Sequence, residues 1–330
     1  MMRRRALFLA VWLGLCSVLG GASISGVAAN TAANDEADRQ AMRETEQPQN
    51  NAPVWRSVRS GREHSTQVSG RESGVLIQSA GETWRQIRNG PVTLLGGLLL
   101  ILVPIVIAVF YAWNGPLKLH GQPSGRLVER FTYWERIIHW STAITFVALA
   151  VTGTLIFFGK HILIPIIGYT GFSWFAAISK NVHNIVGPLF IFCVACMFVM
   201  FVRDNLWQKI DWEWVKKAPQ VLTGKGHAPS GKYNAAEKGW FWGGVAFLGL
   251  VVGVTGLILD FPNFAQTRST MQIANIIHGV GALLFIAAAL GHIYMGTIGT
   301  EGAYDAMRTG KVDETWAKEH HELWLDEVKS

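Results

Sequence analysis

Residues 278 to 292 read HGVGALLFIAAALGH, two histidines enclosing thirteen residues without a single charge. Wound as a helix at 3.6 residues per turn, the fourteen-residue separation is nearly four turns, so both imidazoles leave on one face, about 21 Å apart along the axis. The uncharged run extends from Ile273 to Ile298, and crossing a hydrocarbon core of about 30 Å takes roughly 20 helical residues. The stretch therefore reads as a membrane-spanning helix with one histidine near each face. Imidazole in hydrocarbon is costly and marks a working site.

Four more uncharged runs have spanning length: 92 to 113, 137 to 158, 182 to 202 and 240 to 259. Half of the 330 residues are hydrophobic, 16% are charged and the mean hydropathy is +0.24. That excludes an ordinary soluble domain and predicts an all-α membrane protein. The net charge of +6 is scattered over the loops between spans instead of forming one stripe, which argues against nucleic acid. Arg3, Arg4 and Arg5 followed by an apolar run and small residues to Ala29 have the layout of a cleavable signal peptide, residues 1–29; an uncleaved anchor helix is the alternative. Residues 30–90 carry eight arginines against eight acidic groups and few large apolar side chains. They are expected to form a polar, disordered periplasmic arm. Cys193 and Cys196 lack the further ligands of a metal site and read as helix packing.

With the amino terminus outside, the helix at 92 to 113 runs inward and the later ones alternate. The short inward loops then carry fifteen Lys and Arg residues, among them Lys118, Lys216 and Lys318, against Lys160, Lys180 and Arg268 outside. This is the distribution that the positive-inside rule requires, with the carboxyl terminus cytoplasmic. The apolar outward loop from His161 to Ile178, broken by Pro165, Gly168 and Gly171, suits a helix lying in the interface.

Of ten histidines, four fall in or at the ends of spans: His139, His183, His278 and His292. Each taken singly could simply hydrogen-bond a neighbouring helix. Helix direction pairs them by depth: His183 with His278 toward the outer face, His139 with His292 toward the inner. Two imidazoles on opposite sides of an iron fill both axial positions of a haem, and two stacked haems fit the 21 Å separation. Zinc would need its ligands converging on one point. Small residues lie where a macrocycle needs room: Gly153 on the face of His139, Gly187 a turn below His183, with Gly256, Gly279, Gly281 and Gly291 as further candidates. Ordinary helix packing explains each glycine equally well. Arg136, a turn before His139, is a candidate partner for an inner haem propionate.

The stretches ERIIHW (135 to 140), NVHNIVG (181 to 187), GKYNAAEK (231 to 238), NIIHGVG (275 to 281), GHIYMG (291 to 296) and WAKEHHELW (316 to 324) resemble the gamma subunit of respiratory formate dehydrogenase. The resemblance runs from about Gly125 to the carboxyl terminus. It implies a four-helix dihaem cytochrome b of the bacterial inner membrane, an electron-transfer subunit that does no formate chemistry itself. Implied partners are a molybdenum or tungsten catalytic subunit and an iron-sulfur subunit, and the implied acceptor is a quinone bound beside the inner haem near Asn234. Asn234 could equally cap the next helix. Where the family reads KYNAG this chain has Ala236, so the quinone pocket is expected to be shaped differently. The resulting plan is an extra span at 91–113, a dihaem domain at 114–300 and a cytoplasmic tail at 301–330. A hydrogenase or thiosulfate reductase cytochrome b and a haem-free membrane anchor remain as alternatives.

Overall fold

The computed structural model describes residue 39 and residues 52–61, 79–224, 226–264 and 266–330. The signal-peptide reading of 1–29 and most of the arm lie outside the described residues. The chain divides into two units, and in the first, Met1–Thr66 with Gly74–Ser79, the described residues form a short helix α1 (Ala52–Ser60). The second unit holds everything that follows.

Among the described residues, five helices of the second unit are long and apolar enough to cross a membrane: α2 (Ala80–Asn114), α3 (Tyr133–Ile162), α4 (Ile164–Phe201), α6 (Ala235–Asp260) and α7 (Arg268–Gly299). α2 begins some twelve residues before the uncharged run that marks it, because SAGETWRQI is a sound helical sequence whose Glu82 ties down Arg85 at 2.7 Å. Polar caps start the other spans. Thr132 and Glu135 bond each other's backbone amides at the head of α3, and Asn234 and Glu237 do the same for α6. α3 packs along α4, α4 against α6, and α6 against α7, while α2 lies against α7. At the α2 contact a Cβ on Gly96 would stand 2.4 Å from Leu283 Cδ1, so a larger residue there requires the buried Leu283 side chain to move. Trp84 Nε1 also donates to Asn275 Oδ1 at 3.3 Å.

The segment read as an interfacial helix is helical but not separate. α4 breaks at Gly168, whose φ of 70° falls where glycine alone is unstrained, and from Tyr169 it runs straight into the span. Residues 301–330 are likewise no loose tail. β2 (Lys311–Asp313) pairs antiparallel with β1 (Leu127–Glu129), with Val312 opposite Val128. α8 (Ala303–Thr309), α9 (Glu314–His320) and α10 (Glu322–Lys329) bury Ala306, Val312, Trp316, Ala317, Trp324 and Leu325 against Phe131, Phe201 and Phe241. Together with α5 (Lys209–Val221), this cap covers the end of the bundle that carries His139 and His292. A buried ion pair, Lys238 Nζ to Asp211 Oδ2 at 2.8 Å, ties α5 to α6.

Candidate haem cavities

The four intramembrane histidines meet in two pairs. His183 of α4 faces His278 of α7 with ring centroids 6.1 Å apart, and His139 of α3 faces His292 of α7 at 6.3 Å. An iron held about 2 Å from one nitrogen of each of two imidazoles puts their centroids roughly 6 Å apart. Both pairs thus have the spacing of a bis-histidine haem, and the residues fit that group.

The His183/His278 pair is oriented by two copies of one tripeptide, Val-Thr-Gly at 151 to 153 in α3 and at 254 to 256 in α6. The Thr152 hydroxyl donates to the Ala148 carbonyl at 2.7 Å and so can only accept from His183 Nδ1, at 2.9 Å. Thr255 donates to Val251 O at 2.6 Å and accepts from His278 Nδ1 at 3.2 Å, while Val252 O accepts from the same nitrogen at 3.0 Å. With Nδ1 protonated on both rings, each offers an Nε2 lone pair to a metal. The glycine of each tripeptide makes room for the ring: a Cβ would stand 3.1 Å from His183 Cε1 at Gly153 and 3.2 Å from His278 Cε1 at Gly256. Helical spacing marks the glycines but not the threonines, for which the doubled VTG is the signal in the sequence.

This pair opens on a cavity of about 400 Å³, called outer after the sidedness expected from loop charge, lined by Gly153, Gly187, Phe157, Asn184 and, from α2, Arg88. A Cβ on Gly187 would meet nothing within 4 Å, so Gly187 borders open space, whereas a Cβ on Gly281 would stand 3.3 Å from Val251 and Val252, a close helix–helix contact. The Arg88 guanidinium lies 4.8 Å over the Phe157 ring, and among the described residues no carboxylate pairs with it. At the other pair His292 stacks on Trp240 at 4.7 Å and 11°, and His139 Nδ1 is buried with no hydrogen-bond partner among the described residues. Here the inner cavity measures about 620 Å³ and Gly291 opens onto it. Phe146, Phe190, Phe285 and Trp240, one from each bundle helix, form an aromatic layer between the cavities.

Asn234 lines the inner cavity and also caps α6: its Oδ1 accepts from the amides of Ala236 and Glu237, both at 3.0 Å, leaving Nδ2 to point elsewhere. The Ala236 methyl lines the same cavity. Arg136 is not among its lining residues; Nη1 donates to Arg308 O at 2.8 Å and Nε is buried with no partner among the described residues. The arginine that lines it is Arg130, buried and paired with Glu237 at 3.0 Å. Burial pushes the Tyr233 phenol well up, so it stays protonated. His321 is pushed down to about 3, by burial first and by Arg130 next, and stays neutral with Nδ1 donating to Gly231 O at 2.8 Å. Cys193 and Cys196 are free thiols.

The profile of the prokaryotic cytochrome b561 family matches residues 130–310, which takes in all four histidines. This chain belongs to that family. Within it, the chain groups with the cytochrome b subunits of formate dehydrogenase. It is 31% identical over 209 residues to the cytochrome b556(Fdn) subunit of the nitrate-inducible formate dehydrogenase of Escherichia coli K12, covering 62% of this chain and 93% of that one. The cytochrome b556(fdo) subunit of the same organism is 31% identical over 205 residues, with 61% and 93% covered. The cytochrome b561 chain is thus a multi-span membrane protein that binds haem b, and α2 lies outside the matched region.

Proposed function

We propose that the chain holds two b haems in series and delivers electrons from formate oxidation to a quinone at the cytoplasmic face. In this reading a molybdenum or tungsten catalytic subunit oxidises formate, an iron-sulfur subunit relays the electrons, and this subunit receives them at its outer end. The observation that carries the proposal is the stacking of two imidazole pairs along α7, at 6.1 and 6.3 Å. His183 and His278 hold the outer haem, and His139 and His292 the inner. When bound, the haems would supply one-electron transfer across the bilayer.

The chain's own residues prepare the two sites. Thr152, Thr255 and Val252 orient the outer imidazoles, Gly153 and Gly256 admit them, and Gly187 leaves space beside them. Arg88 on the wall of the outer cavity offers the outer propionates a cation, and Arg130, which lines the inner cavity and whose Nε is unpaired among the described residues, is better placed than Arg136 to meet the inner ones. The aromatic layer excludes water between the sites. Beside His292, Asn234 Nδ2 and the protonated Tyr233 phenol are donors for a quinone carbonyl. The fifteen-to-three charge asymmetry supports an outer amino terminus and inner carboxyl terminus. Electrons then move inward against the membrane potential, at about 2.3 kcal/mol per 100 mV each.

Haem extraction and reduced-minus-oxidised spectra of the purified subunit test this. Two b haems per chain are expected, falling to one in His183→Ala and one in His139→Ala. A single haem in the wild-type protein, or loss of both from either folded variant, would overturn the assignment.

A further inference from the structure

We propose that His120, His227 and Glu319 form a binding site for a divalent transition metal of the zinc class, apart from the four intramembrane histidines. The three residues come from separate parts of the cap: the segment between α2 and β1, the segment between α5 and α6, and helix α9. Their ligand atoms all lie within 4.8 Å of one another. His120 Nδ1 stands 3.4 Å from Glu319 Oε2, and the two imidazole centroids are 4.8 Å apart at 73°. Ligands held about 2 Å from a tetrahedral ion stand roughly 3.3 Å from each other. One edge of the triangle has that length already, and rotation of the exposed His227 ring closes the others.

The carboxylate is held ready for a cation. Glu319 accepts from the backbone amides of His120 at 3.0 Å and Gly121 at 2.7 Å, which fixes its orientation as outer-shell bonds do at established metal centres. Among the described residues no lysine or arginine pairs with it, so its negative charge meets only N–H dipoles and an imidazole. Two imidazoles and one carboxylate suit zinc, nickel, copper or ferrous iron rather than calcium or magnesium. His120 and His227 are exposed, so the ion can reach the site and water can complete its coordination. A bound ion staples three segments of the cap, and the residue after Glu319, His320, lines the inner cavity. The site is therefore a metal-dependent clasp on the cap beside that cavity, and it stands whether or not a quinone binds there.

Zinc titration by calorimetry of the full-length protein, purified in detergent and stripped with EDTA, is the direct test. One zinc ion per chain is expected in the wild type. His120→Ala, His227→Ala and Glu319→Gln should each weaken binding by at least about tenfold, while His161→Ala leaves it unchanged. No stoichiometric binding in the wild type, or wild-type binding in all three variants, overturns the proposal. X-ray absorption at the zinc edge of the wild-type protein does not depend on any variant folding. Two imidazoles with oxygen ligands support the site, and fewer than two imidazoles rule it out.

Discussion

Replacing Thr152 by valine removes one oxygen while keeping the branched shape of the side chain. His183 Nδ1 then loses its one partner among the described residues, the Thr152 hydroxyl at 2.9 Å. A buried N–H left unpaired costs about 1–3 kcal/mol. If that cost falls on the haem-ligating conformation, retention of the outer haem drops by roughly five- to a hundredfold, which agrees with the usual 10–100-fold penalty for losing an outer-shell partner. The matching change Thr255→Val should do little, about threefold at most, because Val252 O still accepts from His278 Nδ1 at 3.0 Å. The assay is the haem-to-protein ratio after purification together with the rate of haem loss to excess apomyoglobin. A folded Thr152→Val protein that keeps haem as the wild type does, or equal losses from the two variants, would refute the reasoning.

Arg88→Gln takes a cation from the wall of the outer cavity, so the oxidised haem gains relative stability. Its midpoint potential should fall by on the order of tens of millivolts while the inner potential holds, and an unchanged pair of potentials in a redox titration would remove Arg88 from the site. Lys238→Ala strands the Asp211 carboxylate, now 2.8 Å from Nζ with both side chains almost wholly buried. A loss of about 3–5 kcal/mol is expected, read as a lowered melting temperature, with Lys238→Met/Asp211→Leu recovering most of it. Gly96→Val drives a side chain into Leu283, 2.4 Å from even a single Cβ. That should lift α2 from α7 and reduce cross-linking between cysteines placed at Trp84 and Asn275; undiminished cross-linking would show that the contact has slack.

The sequence by itself determined the class of protein, the spans and the shared helix face of His278 and His292. Each follows from local rules: uncharged length and helical period. Fourteen residues between His278 and His292 set two depths on one face before any tertiary contact is known. Tertiary structure alone decided what surrounds those rings. Thr152 reaches His183 across 31 positions of the chain and Val252 reaches His278 across 26, and helical spacing says nothing about contacts between different helices. The same holds for residues 301–330. Their apolar side chains are too dispersed to mark a span and become a core only against Phe131, Phe201 and Phe241. Arg88 and Arg130 likewise reach their cavities because the helices and strands that carry them pack at the bundle's two ends. Those non-local contacts are selected by shape and by hydrogen-bond demand in the folded state, and a linear pattern does not contain them.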